Sequence, residues 1–203
     1  MTRLLLIRHA QPREDESRGR CYGRLDVELD DDGRRAAVGL AHALRDVALD
    51  AVYTSPRRRA LETARPLANA HGLEPFVDER LAELDFGELE GRTYDEIAAT
   101  EPELYRAWMD APTTVQFPGG DSYAKLRTRA LAAVTEIRAA AAATAAVVTH
   151  GGVVRAILAD CLQMPDAAIF ALAQDYCGVS VVDWFGDTPL VRVVNISPQW
   201  LPR

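Results

Sequence analysis

The chain has 203 residues, of which 48% are hydrophobic and 26% are charged, and this composition predicts one soluble globular domain over residues 1–203. Its formal net charge of −7 argues against a nucleic-acid or anionic-membrane surface, although a local arginine cluster can still bind a small anion. No run approaches the roughly 20 apolar residues of a membrane span, and the first apolar run is too short for a signal peptide, so the cytoplasm is the expected location.

Short apolar runs and amphipathic stretches alternate along the chain. Strands are predicted near residues 3–7, 50–54, 74–77, 145–149, 178–184 and 190–195. Helices are predicted near residues 31–46, 57–71, 93–99, 101–110, 121–142 and 151–162, with a short one near 166–172. This alternation predicts an α/β fold, a three-layer α/β/α sandwich with a mostly parallel central sheet.

Several residues are expected to mark the ends of these elements. Asp30 or Asp31 should cap the first helix, and Thr93 with Glu96 forms a capping box before the third. The apolar strand near 190–196 can close the sheet edge or pair with a second copy of the chain, so a homodimer stays open.

Two histidines directly follow predicted strands. Arg8 and His9 come after the apolar run 4–7, and His150, Gly151 and Gly152 come after the run 145–148. Ligands bind at the carboxyl ends of the strands in open α/β sheets, so both histidines should lie at one binding edge. An arginine fork and the N–H groups of a helix that starts after His150 suit a phosphoryl group, which a neutral imidazole can attack. A lone histidine here is more often structural, but the second one favours an active site.

Three consecutive arginines, Arg57 to Arg59, open the helix after the strand predicted near 50–54. Such a run usually forms a solvated face, and two of the three are expected to do so. A cation at a helix N-terminus opposes the helix dipole, and a bound anion would relieve that cost. One of these arginines is therefore expected to point at the ligand.

Glu83 lies in the mixed segment 81–87. A carboxylate in an apolar setting keeps its proton near neutral pH and can give it to a leaving oxygen. The alternative is a surface carboxylate, which is the commoner case for a single glutamate.

Four motifs taken together resemble those of the histidine phosphatase superfamily, which has the phosphoglycerate-mutase-like fold. They are residues 6–9, residues 55–64, Glu83 with Phe86 and Gly87, and residues 149–151. Each motif is weak alone, but the set occurs in the family's order and at its spacing.

The resemblance implies a role for each matching residue. His9 is the nucleophile that becomes phosphohistidine, and Arg8, Arg59 and His150 hold the phosphoryl oxygens. Glu83 donates a proton to the leaving oxygen and then helps to activate water. The resemblance implies neither a metal nor a cofactor, because arginines and histidines supply the positive charge.

The loop after His9 departs from the family's pattern. Ala10, Gln11 and Pro12 stand where the family commonly has Gly, then Glu, then Thr or Ser. Asp15 falls where many relatives carry an asparagine that touches phosphate, and a carboxylate there would repel phosphate. Asp15 is therefore given no role, and the course of the 11–24 loop stays open.

The substrate is expected to be a small phosphorylated metabolite. The chain has little room for the insertion of cofactor-dependent mutases, which favours a phosphatase. Residues 19–27, 83–91, 119–122 and 175–178 are most similar to the α-ribazole phosphatase branch of cobalamin biosynthesis. That branch implies Tyr22, Gly23 and Arg24 beside the leaving group, where Tyr22 either stacks on a ring or packs within the loop. Gly151 and Gly152 are expected to let a ligand approach the backbone closely. The alternatives are a broad-specificity phosphatase, a phosphoglycerate mutase, and an inactive relative that binds a phosphorylated ligand.

The other residues of interest are expected to be structural. The three cysteines have neither disulfide nor zinc spacing. His42 and His71 lie on predicted helices, and Trp108 is expected to pack in a core, with a place in a substrate cap as the alternative.

Overall fold

The computed structural model describes residues 1–13, 17–141 and 143–200. Its six strands are β1 (Thr2–Arg8), β2 (Ala51–Thr54), β3 (Pro75–Val77), β4 (Thr144–Thr149), β5 (Val179–Phe185) and β6 (Thr188–Ile196). They form one sheet in the order β3-β2-β4-β1-β5-β6. The first four in this order pair in parallel, β5 is antiparallel to β1, and β6 is antiparallel to β5. The mostly parallel sheet is confirmed, with β5 running against the other strands.

The predicted helices are also present. They are α1 (Asp31–Leu44), α2 (Arg58–Ala70), α3 (Tyr94–Thr100), α4 (Pro102–Asp110), α5 (Tyr123–Ala140) and α6 (Gly151–Cys161), with short 3-10 turns at Glu79–Leu81, Gly87–Leu89, Asp166–Ala171 and Pro198–Trp200. Asp30 caps α1, since its side chain accepts from the Gly33 N–H at 2.6 Å. Thr93 and Glu96 form the capping box of α3. Both cap predictions are confirmed.

The side chains on the two faces of the central strands pack against two different layers of helices. Successive side chains of a strand point to opposite faces of the sheet. Leu5 and Ile7 of β1 pack against α1 and α2, whereas Leu4 and Leu6 pack against α5 and α6. The three-layer α/β/α sandwich follows from this division, and the central strands are buried on both faces, as parallel strands usually are.

A third, smaller cluster joins α3 and α4 to the segments around them. The Trp108 ring is 8% exposed and lies 5.6 Å from the Phe86 ring and 5.1 Å from the Phe117 ring, measured between centroids. Cys21, Leu89 and Ile97 are among the other members. Trp108 therefore packs in a core, as expected, and this cluster is continuous with the 83–91 segment.

Strand β6 forms one edge of the sheet and pairs with β5 inside the chain. A homodimer through this edge stays a prediction. Within the described ranges, no helix is both long enough and apolar enough to cross a membrane. The three cysteines are free thiols.

We expect Thr93→Ala to lower the free energy of unfolding by about 1 kcal/mol, because the α3 N-terminus loses its side-chain cap. The matched control is Thr128→Ala, which removes a hydroxyl from an exposed position inside α5 and should leave stability unchanged or slightly raise it. Urea unfolding measures both. Equal stability of the two variants would contradict the capping role.

Candidate active site

The pairing of β1 with β4 brings the two histidines together. Arg8 is opposite Thr149 in the parallel register, and the His9 N–H donates to the Thr149 carbonyl at 2.8 Å. The residue that follows each of these two strands is a histidine. The ring centroids of His9 and His150 lie 5.1 Å apart at an interplanar angle of 63°. The expectation that both histidines lie at one edge is confirmed.

The His9 ring is buried and is held in one tautomer. It is 2% exposed, and its Nδ1 lies 2.7 Å from the Ala10 carbonyl oxygen. Because a carbonyl only accepts hydrogen bonds, Nδ1 must carry the proton. Burial, followed by the charges of Arg59 and Arg8, holds the pKa of His9 well below its ordinary value of 6.5. The ring is therefore neutral near pH 7, and Nε2 has a free lone pair.

Arg8 lies beside this ring at the end of β1. Its Nη1 donates to the Gln174 carbonyl at 2.5 Å, and its guanidinium carbon lies 4.0 Å from the centroid of the Tyr176 ring. Its Nε is buried and has no hydrogen-bond partner among the described residues. One donor of the fork therefore stays available on the buried side.

Arg59 is fully buried and supports the loop that follows Cys21. Its Nη1 donates to the Leu25 carbonyl at 2.7 Å, and its Nη2 donates to the Tyr22 and Gly23 carbonyls at 3.0 and 2.9 Å. Its Nε has no partner in the part of the chain that the structure describes. Burial lowers the pKa of Arg59, while nearby Glu83 acts in the opposite direction. Arg59 thus fixes the 22–25 loop and keeps one donor and its charge for a ligand.

The His150 ring is fully buried between the two strands' ends. Its Nε2 lies 2.7 Å from the Ser55 hydroxyl, and within the described residues its buried Nδ1 has no hydrogen-bond partner. Burial lowers the pKa of His150 well below 6.5, and the charges of Arg59 and Arg57 add to the shift. His150 is therefore a second neutral imidazole with an open nitrogen.

Glu83 lies at the N-terminus of α6. Its Oε2 accepts from the Gly152 N–H at 3.1 Å, and its Oε1 accepts from the Leu84 N–H at 2.9 Å. A Cβ on Gly152 would lie 2.4 Å from Glu83 Oε1, so a larger residue there would displace the carboxylate. Glu83 is half-buried and bonded to backbone N–H groups, so its setting is neither the apolar one nor the open surface considered from the sequence.

The three arginines at the start of α2 differ in their exposure to solvent. Arg59 points inward, as the resemblance implied. Arg58 is exposed and pairs with Glu28 at 2.8 Å. Arg57 is only partly exposed, and its charge acts on the buried His150. Two solvated arginines were expected; Arg58 is one, whereas Arg57 is partly buried and its Nε has no hydrogen-bond partner among the described residues.

Three residues of the site had no assigned role in the sequence analysis. They are Ser55, which bonds His150, and Gln174 and Tyr176, which contact Arg8. The 95% buried Gln174 has an amide without a hydrogen-bond partner in the described ranges. The antiparallel direction of β5 brings the segment before it to this edge, where the Cys177 N–H donates to the Arg8 carbonyl at 3.1 Å. The polar segment before β5 is visible in the sequence, but the strand's direction is not.

Asp15, which was given no role in the sequence analysis, lies outside the described residues. Among those that are described, no three His, Cys, Asp or Glu side chains are grouped so as to hold a metal ion.

Comparisons with known proteins agree with this geometry. A sequence model of the histidine phosphatase superfamily (branch 1) matches residues 4–197. Phosphoserine phosphatase 1 of Hydrogenobacter thermophilus is 33% identical over 198 residues, which are 97% of this chain and 93% of that protein. The structure of Bacillus stearothermophilus YhfR is 31% identical, with a TM-score of 0.88 over 95% of this chain and 96% of its own. A putative α-ribazole-5′-P phosphatase from Escherichia coli is 25% identical, with a TM-score of 0.88 over 97% of both chains.

We expect Gly23→Ala to lower any activity of this site by about 10²-fold, because displaced groups lose their productive geometry. A Cβ on Gly23 would lie 1.6 Å from the Leu84 carbonyl oxygen, so the loop bonded to Arg59 must move. The matched control is Gly39→Ala in α1, where a Cβ meets nothing within 4 Å. Steady-state rates of both variants test this, and a fully active Gly23→Ala protein would contradict it.

We expect His9 and His150 to be neutral at pH 6.5, where histidines of the unfolded chain are half protonated. The native state then binds fewer protons than the unfolded state, so the free energy of unfolding falls as the pH drops through 6.5. Imidazole NMR shifts in the native and urea-unfolded protein measure the protonation. Native shifts that follow the unfolded curve would contradict the expectation.

Proposed function

Because the chain belongs to the histidine phosphatase superfamily, we propose that it hydrolyses a small phosphomonoester through a phosphohistidine on His9. The observation that carries the proposal is the state of the His9 ring. Nδ1 is bonded to a carbonyl, and the lowered pKa leaves Nε2 as an unprotonated nucleophile. The Nε atoms of Arg8 and Arg59 are buried and have no partner among the described residues, and the charges of both arginines act on His9.

In the first step, Nε2 of His9 attacks the phosphorus atom in line with the leaving oxygen. A P–N bond forms and the ester P–O bond breaks. Arg8 and Arg59 bind the phosphoryl oxygens through their remaining N–H groups and their charge. His150 adds a third donor when the Ser55 hydroxyl donates to its Nε2 and the proton resides on its open Nδ1. Gly151 has no Cβ and lets the oxygens approach the backbone.

In this step the protonated form of Glu83 gives its proton to the leaving oxygen and becomes a carboxylate. The carboxyl group then faces the water that replaces the leaving alcohol, and it accepts a proton as that water attacks the phosphohistidine. The P–N bond breaks, phosphate leaves, and His9 returns to its neutral form. Division of hydrolysis into two transfers makes each step easier than a direct attack by water.

The resemblance to the α-ribazole phosphatase branch makes α-ribazole 5′-phosphate a candidate substrate, with Tyr22 and Gly23 beside its leaving group. The structural relative from Escherichia coli, a putative α-ribazole-5′-P phosphatase, supports this choice. The 33% identical relative favours phosphoserine as the second candidate. A phosphoglycerate mutase would return the phosphoryl group to another hydroxyl, and an inactive relative would bind the ester unchanged.

We expect the protein to release phosphate from one of α-ribazole 5′-phosphate, phosphoserine, 3-phosphoglycerate and p-nitrophenyl phosphate, and His9→Ala to abolish release. Glu83→Gln should lower the rate on alkyl esters by about 10²–10⁴-fold, since these leaving groups need a proton. The matched control, Glu88→Gln, changes an exposed carboxylate and should keep full activity.

Product analysis distinguishes the alternatives. Free phosphate indicates a phosphatase, and an isomerised ester indicates a mutase. Phosphate release that survives in His9→Ala would contradict the phosphohistidine route. Binding of the esters with no turnover by the unaltered protein would favour the inactive relative.

A further inference from the structure

A cavity of about 450 Å³ opens next to the phosphoryl site. Three of the chain's six tyrosines line it, together with residues of the loop that follows β1. The lining residues are Gln11, Ser17, Arg18, Gly19, Arg20, Tyr22, Tyr94 and Tyr176. Its volume lies within the range of ordinary small-molecule sites, which is about 300–1,000 Å³.

Two of the tyrosines belong to both the cavity and the phosphoryl site. The Tyr176 ring lies 5.6 Å from the His9 ring and covers the Arg8 guanidinium. The Tyr22 ring lies 5.1 Å from the guanidinium carbon of Arg59. The two hydroxyls are 3.2 Å apart and share a hydrogen bond. The hydrogen-bonded pair therefore lies between the phosphoryl site and the cavity.

Tyr94 forms a separate wall of the cavity. Its backbone N–H donates to the Gly19 carbonyl at 3.0 Å, and its ring lies 5.5 Å from the Trp108 ring. Trp108 is itself buried in the third cluster, so Tyr94 has a firm support behind it. The ring stays 39% exposed. A supported but partly open aromatic ring is a surface on which another flat ring can pack.

We propose that this cavity binds the leaving group of the substrate and that its tyrosines select an unsaturated, flat ring over a saturated one of the same size. Aromatic rings stack or meet edge to face with a preference that exceeds the burial of their area. Tyr94 is the selecting residue, because Tyr22 and Tyr176 also contact the arginines of the phosphoryl site. The inference rests on the proposed phosphatase activity and narrows its substrates to esters with an aromatic group.

The test compares benzyl phosphate with cyclohexylmethyl phosphate. The two leaving alcohols are similar in size and in acidity, so a difference in kcat/KM reports recognition of the ring. We expect benzyl phosphate to be preferred about tenfold, in keeping with the known strength of aromatic pairs. Tyr94→Leu should bring the ratio to about one, whereas Tyr94→Phe, which keeps the ring, should retain the preference.

The other outcomes each overturn the inference. Release of phosphate from both esters at equal kcat/KM overturns it while the proposed function stands. So does a benzyl preference that persists in Tyr94→Leu, because the selection then lies elsewhere. A much higher kcat/KM for 3-phosphoglycerate than for benzyl phosphate would assign the cavity to anionic leaving groups through Arg18 and Arg20. Release from neither ester, while one of the four phosphomonoesters of the activity test is hydrolysed, overturns the inference and leaves the proposed function standing, whereas release from none of these esters overturns both.

Discussion

The site depends on the burial of two histidine rings beside positively charged arginines, because burial and nearby positive charge both disfavour a protonated imidazole. Burial, followed by the charge of Arg59, lowers the pKa of both His9 and His150. The rings respond by staying neutral, which in His9 exposes a lone pair rather than a second N–H. In the proposed mechanism, the positive charge that helps to keep His9 neutral also attracts the anionic substrate, so substrate binding and the reactivity of His9 share a physical origin.

Such a cluster persists only where the fold holds it firmly. The β1–β4 register sets the two histidines side by side, and both strands are buried on both faces. Backbone carbonyls then hold the arginines in place, through three hydrogen bonds from Arg59 to the 22–25 loop and one from Arg8 to Gln174. Glycines take the positions where a side chain would push these parts away, most clearly Gly23 and Gly152. Backbone hydrogen bonds thus hold the arginines close together despite the repulsion between their positive charges.

The outer parts of the site come from segments far apart in the chain. Tyr22 follows a loop after β1, Tyr94 begins α3, and Tyr176 precedes β5. They meet because β5 runs antiparallel and because α3 is anchored to the loop at Gly19. The phosphoryl site is built from elements of the central sheet, whereas the adjoining cavity is built from connecting segments. Changes in those segments can alter the leaving group that is accepted without disturbing the chemistry at His9.

The sequence by itself determined the elements and the residues at the ends of the parallel strands. Apolar runs gave β1 and β4, and a polar residue after each run gave His9 and His150, because local periodicity and capping chemistry act over a few residues. The tertiary structure decided the rest: the polar setting of Glu83, the partial burial of Arg57, and the positions of Ser55, Gln174 and Tyr176. These depend on strand order, on the direction of β5 and on which backbone groups meet across the sheet edge. Contacts of this kind join residues up to about 170 positions apart, as Arg8 and Tyr176 are, and no local pattern in the chain encodes them.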